Sequence, residues 1–137
     1  MIEINNRKIF NDLSATSAES ARRGLLAFPN TSVSIVVGGW TKGVDYESFA
    51  RTIKESGARA FGVESEVSEA LRSHGASVSV FSSASEAVEA AYENTPKGGV
   101  ILISPGGAFF SSRFLLRGID PIISSLRSRI LQADRPK

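Results

Sequence analysis

Short, continuous apolar runs alternate along this chain with stretches in which apolar residues return every three or four positions. The densest runs, Val33 to Val37 and Val100 to Ile103, are rich in β-branched residues, which reads as strands buried on both faces. Ile9 and Phe10 end an earlier strand, Ala58 to Val63 forms another, and Val78, Val80 and Phe81 alternate as a strand more exposed on one side. Between the strands, Ala18, Ala21, Leu25 and Phe28 keep helical spacing until Pro29-Asn30 stops it. Tyr46, Phe49, Ala50 and Ile53 form a second helical face, with Asp45 as its cap and Gly57 at its end. Val67, Ala70 and Leu71 mark a short helix closed by His74-Gly75, and Ala84, Ala87, Val88 and Ala91 a fourth helix halted by Pro96. A last helix is expected to open at Asp120 as cap, with Pro121 in the first turn and Ile122, Ile123, Leu126 and Ile130 on its buried side. Strands and helices that alternate through short connections pair in parallel by right-handed crossovers. The expectation is one three-layer α/β domain over residues 1–137, with a mostly parallel sheet and helices on both faces.

Composition narrows the function without naming it. The 137 residues, 42% apolar and 22% charged, suit a single domain with a real core and argue against disorder. Sixteen Lys and Arg against 14 Asp and Glu leave a formal charge of +2, without the dense basic stripe of a nucleic-acid binder. There is no cysteine, hence no disulfide and no thiolate chemistry, and the single histidine, His74, cannot build a histidine-based metal cluster. His74 reads as a helix-end residue near the negative pole of the dipole. No apolar stretch approaches the roughly 20 residues of a membrane span, and no leader peptide opens the sequence, so no membrane partner and a cytoplasmic setting are expected.

The chemistry concentrates where the two densest strands end. Val33 to Val37 empties into Gly38-Gly39-Trp40-Thr41-Lys42-Gly43, and Val100 to Ile103 into Ser104-Pro105-Gly106-Gly107-Ala108. In open α/β sheets ligands sit beyond such strand ends. Glycines let the backbone approach a ligand closely, and the ammonium of Lys42 suits a carboxylate or phosphate. The plainer alternative is a strand-to-helix connection that needs glycines and carries a solvated lysine. The loop lacks the Gly-Lys-Ser/Thr ending of a P-loop and the spacing of a dinucleotide fingerprint. Trp40 reads either as an exposed lid residue or as packed on a neighbouring helix, the second preferred because indoles rarely stay bare.

Three segments taken in order, Asn11-Asp12-Leu13-Ser14-Ala15-Thr16, Gly38 through Asp45, and Leu102 through Ala108, resemble the C-terminal domain of the Mur ligases. The pattern is nearest to the D-glutamate-adding branch, which runs roughly Asn-Asp-Ser-Lys-Ala-Thr-Asn, Gly-Gly-x-x-Lys-Gly-x-Asp and Ser-Pro-Ala-x-Ala-Ser. The resemblance implies a Rossmann-like unit that closes over a central ATP-binding domain and presents an amino acid. In such enzymes ATP, with magnesium, makes an acyl phosphate on UDP-N-acetylmuramoyl-L-alanine, and the amine of D-glutamate attacks it to form an amide of the peptidoglycan precursor. By this likeness Lys42 grips a D-glutamate carboxylate, Thr16 hydrogen-bonds to the same amino acid, and Asp12 lies near ATP at the domain junction.

The departures from that pattern are specific. Ser14 stands where the family has lysine, Ser17 where it has asparagine, and Phe109 where it has the serine that helps bind the amino acid, with Ser111 as the substitute and Ser112 beside it. A whole ligase is about three such domains long. The chain is therefore expected to be a domain excised from a longer ligase or a free-standing relative, with no catalysis of its own in isolation. The alternative reading is a non-catalytic module whose degenerate site holds a small anion or a protein.

Overall fold

The computed structural model describes residues 1–12, 14–41, 43–108 and 124–129. Its strands follow the apolar runs: β1 (Ile2–Ile4), β2 (Arg7–Asn11), β3 (Val33–Val37), β4 (Arg59–Val63), β5 (Val78–Phe81) and β6 (Val100–Ile103). The helices are α1 (Ala18–Leu26), α2 (Glu47–Ser56), α3 (Glu66–Ser73) and α4 (Ala84–Glu93), and residues 124–129 are also helical. They form one six-stranded sheet in the order β1-β2-β6-β3-β4-β5. Every neighbouring pair is parallel except β1 with β2.

That antiparallel edge is an addition to the sequence reading, which has a single strand ending at Ile9-Phe10. Asn5 and Asn6, with φ of 49° and 63°, turn the chain so that Ile2 faces Ile9 and Ile4 faces Arg7. A two-residue hairpin turn with both φ values positive matches the twist of the flanking strands, and asparagine tolerates it better than most residues.

Period-two alternation sorts the central strands onto two cores. Val33, Ile35 and Val37 of β3 and Val100 and Leu102 of β6 join the buried faces of α1, α2 and α3. Val36, Ile101 and Ile103 face the other way, toward Ala87, Val88 and Ala91 of α4 and toward Leu126. Ile35, Ile101 and Ile103 are fully buried, and each such side chain contributes about 1.5–3 kcal/mol relative to exposure. Ser34 is also buried, and its hydroxyl is paired at 2.7 Å with that of Thr95, just beyond α4, so its burial leaves no orphaned group.

Helix ends follow local chemistry. The side chains of Ser17, Ser65 and Ser83 cap α1, α3 and α4 by accepting the N–H of Ser20, Ser68 and Glu86. His74 closes α3, in agreement with its reading as a helix-end residue. At α2 the expectation of Asp45 as cap is displaced by one residue. Tyr46 holds the cap position without a capping side-chain bond, because its ring is drawn into the core; the Asp45 carboxylate instead accepts the Glu47 N–H at 2.9 Å. Phe28 lies beyond the end of α1 and packs on Phe10 with ring centroids 4.9 Å apart. Of the expected last helix, Leu126 is buried as anticipated, while Asp120, Pro121, Ile122, Ile123 and Ile130 lie outside the described residues. Among the described residues no helix is long and apolar enough to cross a membrane.

Candidate functional site

Strands β2, β6 and β3 stop level with one another: Asn11 is opposite Ile103, and Ile103 is opposite Val36. The loops that follow them therefore leave the same rim side by side. After β2 and β3 the chain passes to α1 and α2 on one face of the sheet, whereas Leu126, which follows β6, packs on the other. Connections departing to opposite faces define the switch point at which open α/β sheets bind ligands.

The first loop begins at Asp12, whose N–H donates to the Ile103 carbonyl at 2.8 Å. Its half-buried carboxylate accepts the Ser14 hydroxyl at 3.3 Å on Oδ1 and the buried Ser104 hydroxyl at 3.4 Å on Oδ2. Thr16 is exposed on this loop, immediately before the Ser17 cap of α1, and its N–H donates to Ser14 O at 2.9 Å.

The second loop is fastened to both neighbours. Gly38 N–H donates to Pro105 O at 3.0 Å, and Trp40 and Ala108 exchange two backbone hydrogen bonds of 2.7 and 3.0 Å. On its other side Gly39 O accepts the Val67 N–H at 3.0 Å, and Thr41 N–H donates to the Glu66 carboxylate at 3.2 Å. Gly39 has φ of +127°, and a Cβ built there would stand 2.5 Å from Ala108 O, so both conformation and space require glycine. The third loop completes the join. Ser104 N–H donates to Val36 O at 3.0 Å, Gly106 N–H donates to Ala15 O at 2.9 Å, and the Tyr46 hydroxyl donates to Gly106 O.

The three sequence segments singled out above thus meet at one rim. Asp12 and Thr16 share the first loop, while Lys42 and Ser111, together with Phe109 and Ser112, lie outside the described residues. Trp40 lies at the surface of the rim, its backbone committed to the Ala108 bridge and the residue 52% exposed.

Three participants escaped the sequence reading. Tyr46 reads as core only, because the carbonyl its hydroxyl meets is 60 positions away. Its phenol is pushed above the ordinary value, first by burial and then by the nearby Glu66 carboxylate, so it stays a donor at neutral pH. Ser104 carries a faint signal as a hydroxyl closing an apolar run, and Glu66 carries none.

Among the described residues no group of three or more His, Asp or Glu gathers to hold a metal ion. A cavity of about 380 Å³ lies at the opposite end of the sheet, near the starts of β3 and β4, lined by Leu25, Leu26, Phe28, Val33 and Glu55 among others. Among the described residues no basic side chain lines it, and its one charged group is the Glu55 carboxylate.

No family model matches the chain. Its curated relatives include the UDP-N-acetylmuramoylalanine–D-glutamate ligases of Caldicellulosiruptor bescii, 30% identical over 77% of this chain, and of Chlorobaculum parvum, 35% identical over 73%. The enzyme of the same name from Thermosipho melanesiensis is 30% identical over 80%. The chain spans about a quarter of the length of these relatives, between 22% and 26%. A solved domain attributed to a UDP-N-acetylmuramate:L-alanyl-gamma-D-glutamyl-diaminopimelate ligase of Haemophilus ducreyi superposes with a TM-score of 0.61 over 92% of this chain and 93% of that one. At 16% identity, that likeness speaks for the fold alone. Matched in sequence by D-glutamate ligases and in fold by a Mur ligase domain, the chain belongs to the Mur ligase family as a C-terminal domain.

Proposed function

We propose that this domain presents D-glutamate for ATP-dependent amide formation on UDP-N-acetylmuramoyl-L-alanine, a step of peptidoglycan precursor synthesis. The observation that carries the reading is the meeting of the three loops at the carboxyl ends of β2, β6 and β3, joined by the hydrogen bonds of Ser104 to Asp12, Gly106 to Ala15, Gly38 to Pro105 and Trp40 with Ala108. Lys42 pairs its ammonium with a carboxylate of the amino acid, Thr16 donates its hydroxyl to the same molecule, and Ser111 supplies a further hydroxyl. The domain's contribution is orientation: it holds the amine so that its lone pair faces the acyl carbon at about 3 Å, where much of the rate of such a reaction originates.

ATP and magnesium would be bound mainly by a central domain, ATP supplying the phosphoryl group that activates the acyl carbon and magnesium neutralising phosphate charge. Asp12 fits a place beside the nucleotide at the junction. Among the described residues its carboxylate accepts hydroxyls at 3.3 and 3.4 Å, and a carboxylate with about four lone-pair sites has capacity left for a ribose hydroxyl. Closure of this rim over the central domain excludes water from the acyl phosphate. A nucleotide-linked substrate and ATP place the work in the cytoplasm.

The test is a chimera in which this chain replaces the C-terminal domain of a D-glutamate ligase. Phosphate release that depends on D-glutamate, with KM for D-glutamate raised about tenfold or more by Lys42→Ala, is the expected result, since one paired charge is worth about that factor. A folded chimera that ignores D-glutamate would overturn the reading.

A second reading draws on the exposure of Trp40 and Val44, 52% and 54%, on either side of Lys42. Exposed apolar side chains on this loop suit a non-catalytic module for a small anion or a protein surface. In that case the isolated chain takes up inorganic phosphate as readily as D-glutamate.

A further inference from the structure

Gly106 joins the rim together. Its N–H fixes Ala15, between Asp12 and Thr16 in sequence register; its carbonyl accepts the hydroxyl of Tyr46, the residue that follows the second loop. Its φ is +77°, and a Cβ there would come within 2.8 Å of Phe49 Cε2, so the residue is clamped against α2 as well. Gly106 and Tyr46 are both buried, Tyr46 to 1% exposure.

The aromatic ring alone would fill that space, and a phenylalanine would pack there equally well against Phe49, whose ring centroid is 6.5 Å away. The hydroxyl must therefore be explained by what it holds. Without it a buried carbonyl loses its partner, and the available relief is movement of residues 104–108 toward water. Through the Gly106 N–H that movement is passed to Ala15, and through the Trp40–Ala108 bridge to the second loop.

We propose that Tyr46 is a positioning residue: acting through Gly106, its hydroxyl sets the spacing between the loop that carries Asp12 and Thr16 and the loop that carries Lys42. Its effect on ligand affinity rests on the amino-acid-presenting reading; its effect on the loops does not.

The experiment compares the wild-type chain with Tyr46→Phe and with Ile101→Val, a control that loosens the opposite core without touching the rim. Amide hydrogen exchange, chemical unfolding and titration with D-glutamate are measured on each. Tyr46→Phe is expected to speed exchange of the Gly106 N–H about tenfold beyond any change at Ile35 or Ile101. It is also expected to weaken D-glutamate binding about fivefold or more, while the control changes neither. Wild-type exchange at Gly106 in Tyr46→Phe overturns the proposal, as does a loosened Gly106 with unaltered D-glutamate affinity. If the wild-type chain shows no response to D-glutamate, the amino-acid reading falls, and Gly106 exchange alone decides whether Tyr46 sets the spacing. Should Tyr46→Phe fail to fold, 3-fluorotyrosine in a Tyr92→Phe background keeps the ring and makes a stronger donor. Slower exchange at Gly106 then supports the proposal, and an unchanged rate overturns it.

Discussion

Trp40 and Ala108 face each other across an isolated antiparallel bridge, each donating its N–H to the other's carbonyl. This bridge lies beyond the ends of two parallel strands, β3 and β6, and continues their contact into the loops that follow. A loop so tied is held in one arrangement, and pre-organisation of that kind lowers the ordering cost of any binding to it. Gly39 makes the approach feasible, so Gly39→Ala is expected to destabilise the chain by about 1–3 kcal/mol, the usual range for a side chain forced into such backbone geometry. Urea unfolding measures this, and a midpoint equal to wild type would mean that the bridge is not held closely.

The buried phenol gives a pH signature. Tyr46 titrates above the ordinary 10.0 because burial, and then Glu66, oppose the phenolate. In the unfolded chain it titrates at the ordinary value, so above that pH the folded state holds the extra proton. Its contribution to stability is therefore complete below pH 10 and lost as the pH rises through the folded value. Tyrosinate absorbance of a Tyr92→Phe variant is expected to rise at higher pH in the folded than in the denatured chain; coincident curves would contradict the assignment.

A second signature lies at acid pH on the surface of α1. The Arg22 guanidinium, bonded to Glu19 at 2.7 and 2.9 Å, and then Arg23 hold the Glu19 carboxyl down at about 2, against an ordinary 4.5. A depressed carboxylate stabilises the fold above about pH 4.5, and that contribution fades as the pH falls toward 2. Carbon-detected titration of Glu19 reads the midpoint directly, and Arg22→Gln is expected to move it back toward 4.5.

Much of the fold is legible in the sequence because the central strands are buried on both faces: Val33 to Val37 and Val100 to Ile103 announce themselves by composition alone. The edge hairpin is not, since β1 is three residues long and its turn is written only as Asn5-Asn6. The serine caps were open to reading; Ser83 with Glu86 three positions on is the capping-box spacing. The site is legible as three separate motifs, but not as a network. Ser104 meets Asp12 across 92 positions and Tyr46 meets Gly106 across 60, and no local pattern encodes such pairs.

Titration of the ¹⁵N-labelled chain with D-glutamate, following backbone amides residue by residue, addresses the placement of the amino acid most directly. Shifts gathered on residues 12–16, 38–43 and 104–108, and abolished by Lys42→Ala, are the expected result. Shifts centred instead on Leu26 and Phe28 at the opposite end of the sheet, or a pattern indifferent to Lys42→Ala, would contradict it.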